Sequence, residues 1–342
     1  MTLEAAATLA QMTIAKTSLN KLSATRFTAF DSLRSLLLKY VKIIDGSIAE
    51  LVRECPVLED LTLDSCNIPK AFLVSTEDIM IKRLAVLYTD TKDRLDIDIS
   101  TPYLLKLEIV EVNALSVSIR NASQLVDATL SIVLLVNKPG VVRGDPFNSM
   151  LAGLRHCRGL TLNTYMPWML HTDPYLPEEL QTPLENLNDL IMVAGLLQIE
   201  LDRVSFLLRS CPNLEVLIIS LHEPWPMGSV IDETSTAYRI EEDGHWETQT
   251  KPFPCLLHSL RRITVMKLKG STIELQMIKF LLTNAKVLEK MVIYLDEMRE
   301  EASKTPQRTI ICRQQRKNIR TFLRFVSTYF RDKVTVINPN KK

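Results

Sequence analysis

The sequence predicts an α/β solenoid in which parallel strands are joined by short helices, and three observations predict it. The stretch at residues 51–63, LVRECPVLEDLTL, returns at 207–219 as LLRSCPNLEVLII and at 281–293 as LLTNAKVLEKMVI. In each copy an apolar stripe (Ile48, Leu51, Val52; Val204, Leu207, Leu208; Ile278, Leu281, Leu282) has the i, i+3, i+4 spacing of a helix with one buried face, and an apolar pair at strand spacing follows. The strand pattern, with apolar residues three and five places after a first position, starts at Leu33, Leu58, Ile81, Leu104, Asp127, Cys157, Leu187, Leu214, Leu260 and Leu288. The intervals are 25, 23, 23, 23, 30, 30, 27, 46 and 28 residues.

Each element follows from that register. Pro56 and Pro212 cannot continue a helix, so they mark the break between the helical and the strand period. The unit is helix, break, Leu-x-x-Leu-x-Leu strand. Such a piece cannot bury its apolar face alone and stacks on copies of itself, which is the physical content of a leucine-rich repeat. A chain of 342 residues would ordinarily split into domains, but a solenoid grows by adding turns.

Residues 1–28 hold no strand match and are expected to be poorly ordered or to form a capping segment. The repeats occupy 29–220, with Asp127 breaking the first position of its unit and added loops at 137–146 and 165–183. Residues 221–250 are expected to be an acidic insertion loop, with seven acidic residues against one Arg, a balance of −6. The pattern resumes through 251–337, where 297–309 reads as a charged linker. Ile319, Phe322, Leu323, Val326 and Phe330 mark one face of a last helix, and Val334, Val336 and Ile337 a last strand; 338–342 is a tail.

Apolar residues make up 46% of the chain and the net charge is +1, so there is no overall attraction to nucleic acid or to an anionic membrane. No uncharged apolar run exceeds the seven residues of 130–136, far short of a span. Four of the six cysteines occupy places a repeat would bury, where a free thiol acts as a small hydrophobe. Their spacing points to a reduced compartment, cytoplasm or nucleus. The first thirty residues, rich in Ala, Ser and Thr, faintly resemble a transit peptide, but the edge of a repeat array explains them as well.

Catalysis needs convergent polar groups. The sequence shows no phosphate-cradling glycine loop and no G-x-S-x-G elbow. Cys255 and His258 have the spacing of half a metal site without a second half, His156 and Cys157 are adjacent and point apart, and Asn121-Ala-Ser123 is a glycosylation acceptor without meaning inside a cell. The expectation is a binding protein that is not an enzyme and needs no cofactor or metal. One cluster suggests another partner: Arg313, Arg316, Lys317, Arg320 and Arg324 share a third of a helix circumference, opposite the apolar face. A nucleic-acid groove would use that stripe and so would a solvated helix face; nucleic acid is the alternative partner, not the expected one.

The stretches LVRECPVLEDLTLDSC and SFLLRSCPNLEVLII, with the block WETQTKPFPCLLHSLRRITVMKLKGSTIELQMIKFLLTNAKVLEKMVI, resemble the plant F-box, leucine-rich repeat and FBD proteins. The block resembles the FBD region itself in Trp246, Pro254-Cys255-Leu256, Lys269-Gly270, Glu274 and Phe280-Leu281-Leu282 to Met291. The resemblance implies that repeats and FBD region form the partner-binding half of a ubiquitin-ligase adaptor, docked to a Skp-type adaptor by an F-box. The opening and closing motifs of an F-box are not read before Phe30, so a Skp-type partner is expected only where an F-box is supplied upstream.

Residues flanking the inward leucines of each strand face outward. In the early repeats those positions are polar: Asp60, Thr62, Asp64, Arg83, Lys106 and Glu108. Toward the C-terminus they are Ile191, Val193, Val216, Ile218, Met266, Val292 and Tyr294. These seven are the candidate surface for an unknown protein partner, unless the acidic insertion or the C-terminal segment folds over them.

Overall fold

Period-2 burial decides the strands. A computed structural model describes residues 11–16, 30–44, 47–75, 80–89, 95–132, 150–163, 179–195, 198–222, 244–296 and 306–338. The chain divides into two units, Met1–Leu176 and Pro177–Lys342.

In the N-terminal unit the elements are β1 (Gln11–Ala15), β2 (Ser35–Lys39), α1 (Ser47–Arg53), β3 (Asp60–Asp64), β4 (Ala71–Ser75), β5 (Arg83–Leu87), β6 (Leu95–Ser100), β7 (Lys106–Val112), β8 (Ala114–Arg120), β9 (Asp127–Ile132) and β10 (Gly159–Asn163). Strands β1, β2, β3, β5, β7, β9 and β10 follow one another in a parallel sheet. The sequence marks stack in register: Leu36, Leu61, Leu84 and Leu107 align across neighbouring strands, as do Leu38, Leu63, Val86 and Ile109, and none exceeds 1% exposure. Before β2, β3 and β7 the amide of the first position donates to the carbonyl three residues back, Leu33 to Phe30, Leu58 to Cys55 and Leu104 to Thr101, a tight turn that aims the chain into the sheet.

Three differences from the sequence reading emerge here. Leu107 pairs with Ala128 and Ile109 with Leu130, which makes Leu125, fully buried, the first position of the fifth repeat. Asp127 is no broken first position but the exposed outer start of β9. The intervals around it become 21 residues (104 to 125) and 32 (125 to 157). Residues 1–28 contribute β1, whose Ile14 is buried against β2. Most consequential, strand replaces helix behind β3 to β9: β4, β6 and β8 form a second parallel sheet, with Phe72, Ile97 and Val117 in one row and Val74, Ile99 and Ile119 in the next. Intervals of 21 to 23 residues leave room for an extended return but hardly for a packed helix of three turns, whereas the 25 residues from Leu33 to Leu58 hold the short α1.

In the C-terminal unit the order is β11 (Asp189–Ala194), α2 (Gln198–Ser210), β12 (Val216–Leu221), α3 (Pro254–His258), β13 (Arg262–Leu268), α4 (Thr272–Asn284), β14 (Lys290–Leu295), α5 (Pro306–Tyr329) and β15 (Val334–Ile337). Its strands pair in parallel in chain order. The inner faces of β11 to β14, Leu190, Leu217, Ile263 and Met291 with Met192, Ile219, Val265 and Ile293, form the core together with the buried stripes of the helices, Val204, Leu207 and Leu208 of α2 and Ile278, Leu281 and Leu282 of α4.

The insertion is shorter than expected. Leu221 closes β12, and His245 and Trp246 are buried at 6% and 4% exposure; 223–243 lie outside the described residues. The loop at 137–146, most of 165–183 and residues 297–305 of the expected linker lie outside them too.

A candidate partner-binding surface

All seven expected surface residues lie on one face of the C-terminal sheet. Parallel register sets them in rows across strands about 4.8 Å apart. Ile191, Ile218, Thr264, Val292 and Thr335 form the middle row of β11 to β15. The row beyond runs Val193, Ser220, Met266, is displaced by a bulge after Val265, and continues as Tyr294 and Ile337. Ile191 is 36% exposed and Met266 and Tyr294 39% each, while Val193, Val216, Ile218 and Val292 are half-buried among their row neighbours. The C-terminal strand does not cover this face: β15 joins the sheet edge beside β14 and extends it with Ile337, 37% exposed.

Sequence reasoning missed Thr264, Thr335 and Ile337. The threonines are polar by type, yet their β-branched side chains continue an apolar row, and strand alternation from Ile263 and Val334 was the signal that could have found them. It missed also Asp189, Arg262 and Lys290, which with Val216 form the bordering row where the apolar strip meets exposed charge.

The residues of the FBD-like block do other work. Phe280 lies 5.0 Å from Trp246 and 5.4 Å from Phe253, ring centroid to centroid, and the Arg209 guanidinium sits 4.6 Å from the Phe253 ring. This cluster ties residues 244–253 to α2 and α4, so Trp246 is a core residue. Ser271 and Glu274 close a capping box on α4. The buried Glu274 carboxylate accepts from the amides of Lys269, Gly270 and Ser271 at 3.2, 2.6 and 2.8 Å; burial nevertheless pushes its pKa up. Gly270 has φ +90°, and a β-carbon there would come 2.5 Å from Ile319 Cγ1 and 2.9 Å from the Gln315 carbonyl of α5. Asn318 Nδ2 donates to the Gly270 carbonyl at 3.2 Å. α2 carries the same device: Glu200, 2% exposed, accepts from the Gly195 amide at 3.0 Å.

One chain of polar groups, buried at Ser205 and His245 and exposed at Asp202, has the residue types of a hydrolytic triad. Ser205 Oγ is 2.9 Å from His245 Nε2, and Asp202 Oδ1 is 3.5 Å from Nδ1. Burial and the Arg209 charge pull the imidazole from 6.5 to about 4, so it is neutral at pH 7 despite Asp202. With Nδ1 toward that carboxylate, Nε2 is the nitrogen that accepts from Ser205. Ser205 is 2% exposed, which leaves its oxygen no approach for a substrate; the chain latches residues 244–249 onto α2.

The remaining candidates separate. Cys255 is buried, its Sγ donating to the Leu208 carbonyl at 3.1 Å, while His258 is exposed. Cys157 is buried beside half-buried His156. Burial lifts the thiols of Cys55, Cys157 and Cys255 to about 12 and raises Cys66 and Cys211 as well, so all five stay protonated and unreactive; Cys312 is exposed. Arg313, Arg316, Lys317, Arg320 and Arg324 are exposed on α5, opposite buried Ile319, Phe322 and Val326. Among the described residues no helix is long and apolar enough to cross a membrane.

Comparison with known proteins agrees with this partition. The family model described as FBD matches residues 248–293, and the one described as the LRR repeats of FBD-associated F-box protein At5g56370 matches residues 1–126, β1 included. The F-box/FBD/LRR-repeat proteins At1g78750 and At5g22660 of Arabidopsis thaliana are each 24% identical, over 81% and 75% of this chain and 58% and 55% of their own lengths. The putative F-box/FBD/LRR-repeat protein At1g66300 of the same plant is 23% identical over 81% of this chain and 59% of its own length. The chain thus spans somewhat over half the length of these relatives.

Proposed function

For a chain that carries the leucine-rich repeats and the FBD region of the plant F-box/FBD/LRR-repeat proteins, we propose a non-enzymatic role in which the outer face of β11 to β15 docks a protein partner. The observation that supports this most is the unbroken row from Ile191 to Thr335. It exposes apolar and β-branched side chains on a sheet whose other face is already a closed core, so folding alone does not account for them. In the ubiquitin-ligase setting that the resemblance implies, this face selects the substrate and an F-box supplies the contact with a Skp-type adaptor.

Ile191→Lys with Ile218→Lys should abolish partner capture while the melting temperature stays within a few degrees. Capture that survives the double substitution, or a collapse of stability showing the strip to be covered core, would sink the proposal. A nucleic-acid role for the α5 stripe predicts instead binding that falls steeply between low and moderate salt and is lost on Arg316→Glu with Arg320→Glu.

A further inference from the structure

We infer that a groove at the carboxyl ends of β2, β3, β5 and β7 binds the cationic head of a lysine or arginine side chain presented by a protein partner. The groove encloses about 450 Å³ and is lined by Tyr40, Ser65, Tyr88, Thr89 and Glu111. It lies in the N-terminal unit and does not depend on the surface proposed for the C-terminal one.

Tyr40, Ser65 and Tyr88 each follow the last residue of a strand, and all three have left-handed backbone, φ 54°, 54° and 52°; Glu111, at a bulge of β7, has φ 54°. The repeat imposes this: the amides of Tyr40, Ser65 and Tyr88 donate to the end carbonyls of the next strand, Asp64, Leu87 and Val110, at 3.0, 2.8 and 2.8 Å. Such a conformation favours glycine or asparagine and disfavours a bulky side chain. Tyrosine stands there twice and gains little burial in return, since Tyr40 is 53% and Tyr88 55% exposed. Lys16 after β1 holds the same left-handed position, its amide donating to the Lys39 carbonyl at 3.0 Å, so the repeat sets the backbone and the exposed rings at 40 and 88 are not required by it.

The chemistry of the hollow selects the ligand. Two strand spacings put the tyrosine backbones about 10 Å apart, with small Ser65 between them. Among the described lining residues Glu111 is the one carboxylate, accepting from Ser131 Oγ at 3.2 Å, and none is basic. Thr89 Oγ1 is buried without a hydrogen-bond partner among the described residues. The Lys39 ammonium, held by Asp64 at 2.7 Å, lies 5.4 Å from the Tyr40 ring centroid, so that ring already serves a cation. Aromatic faces with a carboxylate hold an alkylammonium or guanidinium. An anion would meet Glu111, and an apolar group would leave Glu111 and Thr89 desolvated and unpaired.

The test is NMR titration of the whole chain with the N-acetyl methylamides of lysine, arginine and norleucine. The two cations should shift the Tyr40 and Tyr88 ring resonances and norleucine should not. Glu111→Gln should weaken the response several-fold. Tyr88→Asn should abolish it while the melting temperature holds or rises, because asparagine suits the left-handed backbone. Equal shifts with norleucine, no shift with either cation, or a Tyr88→Asn protein several degrees less stable would each overturn the inference.

Discussion

The outer faces of the two sheets share one backbone plan and carry opposite chemistry. In the N-terminal unit the face is a lattice of ion pairs: Lys39 with Asp64 at 2.7 Å, Lys82 with Glu59 at 3.0 Å, Lys106 with Glu108 at 2.8 Å, and Arg83 with Asp60. In the C-terminal unit the counterpart of the Asp60, Arg83 and Lys106 row is Asp189, Val216, Arg262 and Lys290, and the middle row, which in the N-terminal unit runs Leu37, Thr62, Ala85 and Glu108, is there the larger apolar row from Ile191 to Thr335. The inward residues of both obey the same leucine rule, so the core does not dictate what points out. Exposed ion pairs stabilise little and keep a surface solvated, whereas an exposed apolar row stabilises nothing until something covers it. The difference teaches where to look for a partner. The returns differ as well: β4, β6 and β8 fill intervals of 21 to 23 residues in the N-terminal unit, whereas α1 fills one of 25 and α2, α3 and α4 fill intervals of 27 or more.

If the cores are equivalent, Leu61→Ala and Leu217→Ala, each at a site no more than 1% exposed, should both cost about 2–5 kcal/mol in denaturant melts. A near-neutral result at either would break the shared register. Gly270→Ala should cost about 2 kcal/mol or more, because it adds a clash with α5 to a left-handed backbone. Hydrogen exchange should show α5 loosened and β2 to β9 unchanged, since the clash at Gly270 is with Ile319 and Gln315 of α5.

Acid should also separate the units. With the His245 pKa at about 4 in the fold against an ordinary 6.5, the unfolded chain takes up the proton first. The latch's contribution is therefore full above pH 6.5 and is lost as pH falls toward 4, on the order of 2 kcal/mol. His245→Asn should flatten that part of the pH profile, and a mutant as pH-sensitive as the parent would reject the latch. Smallest of all, Arg83→Ala should cost under about 1 kcal/mol, with most of the effect gone in high salt. A larger loss would mean that the ionic face of the N-terminal unit is more than solvation.

The sequence alone determined the solenoid, the places of the inward leucines, the helices α2, α4 and α5 and the seven outward residues. Each of these rests on a periodicity, 2 or 3.6, that local sterics and burial impose on any chain. The alternation in LDIDIS (residues 95–100) and ALSVSIR (114–120) already spelled β6 and β8, but a strand without a known neighbour has no face to bury, and the repeat template supplied a helix in its stead. Tertiary structure decided what depends on meetings across sequence: Leu125 and not Asp127 as first position, Trp246 against Phe280, His245 against Ser205, and the row that made Thr264 part of an apolar strip. The Tyr40 and Tyr88 groove belongs with these, because no local pattern says that residues 48 positions apart, each following its own strand, will flank one hollow. Periodicity is a property of neighbours along the chain, whereas a site is a property of neighbours in space.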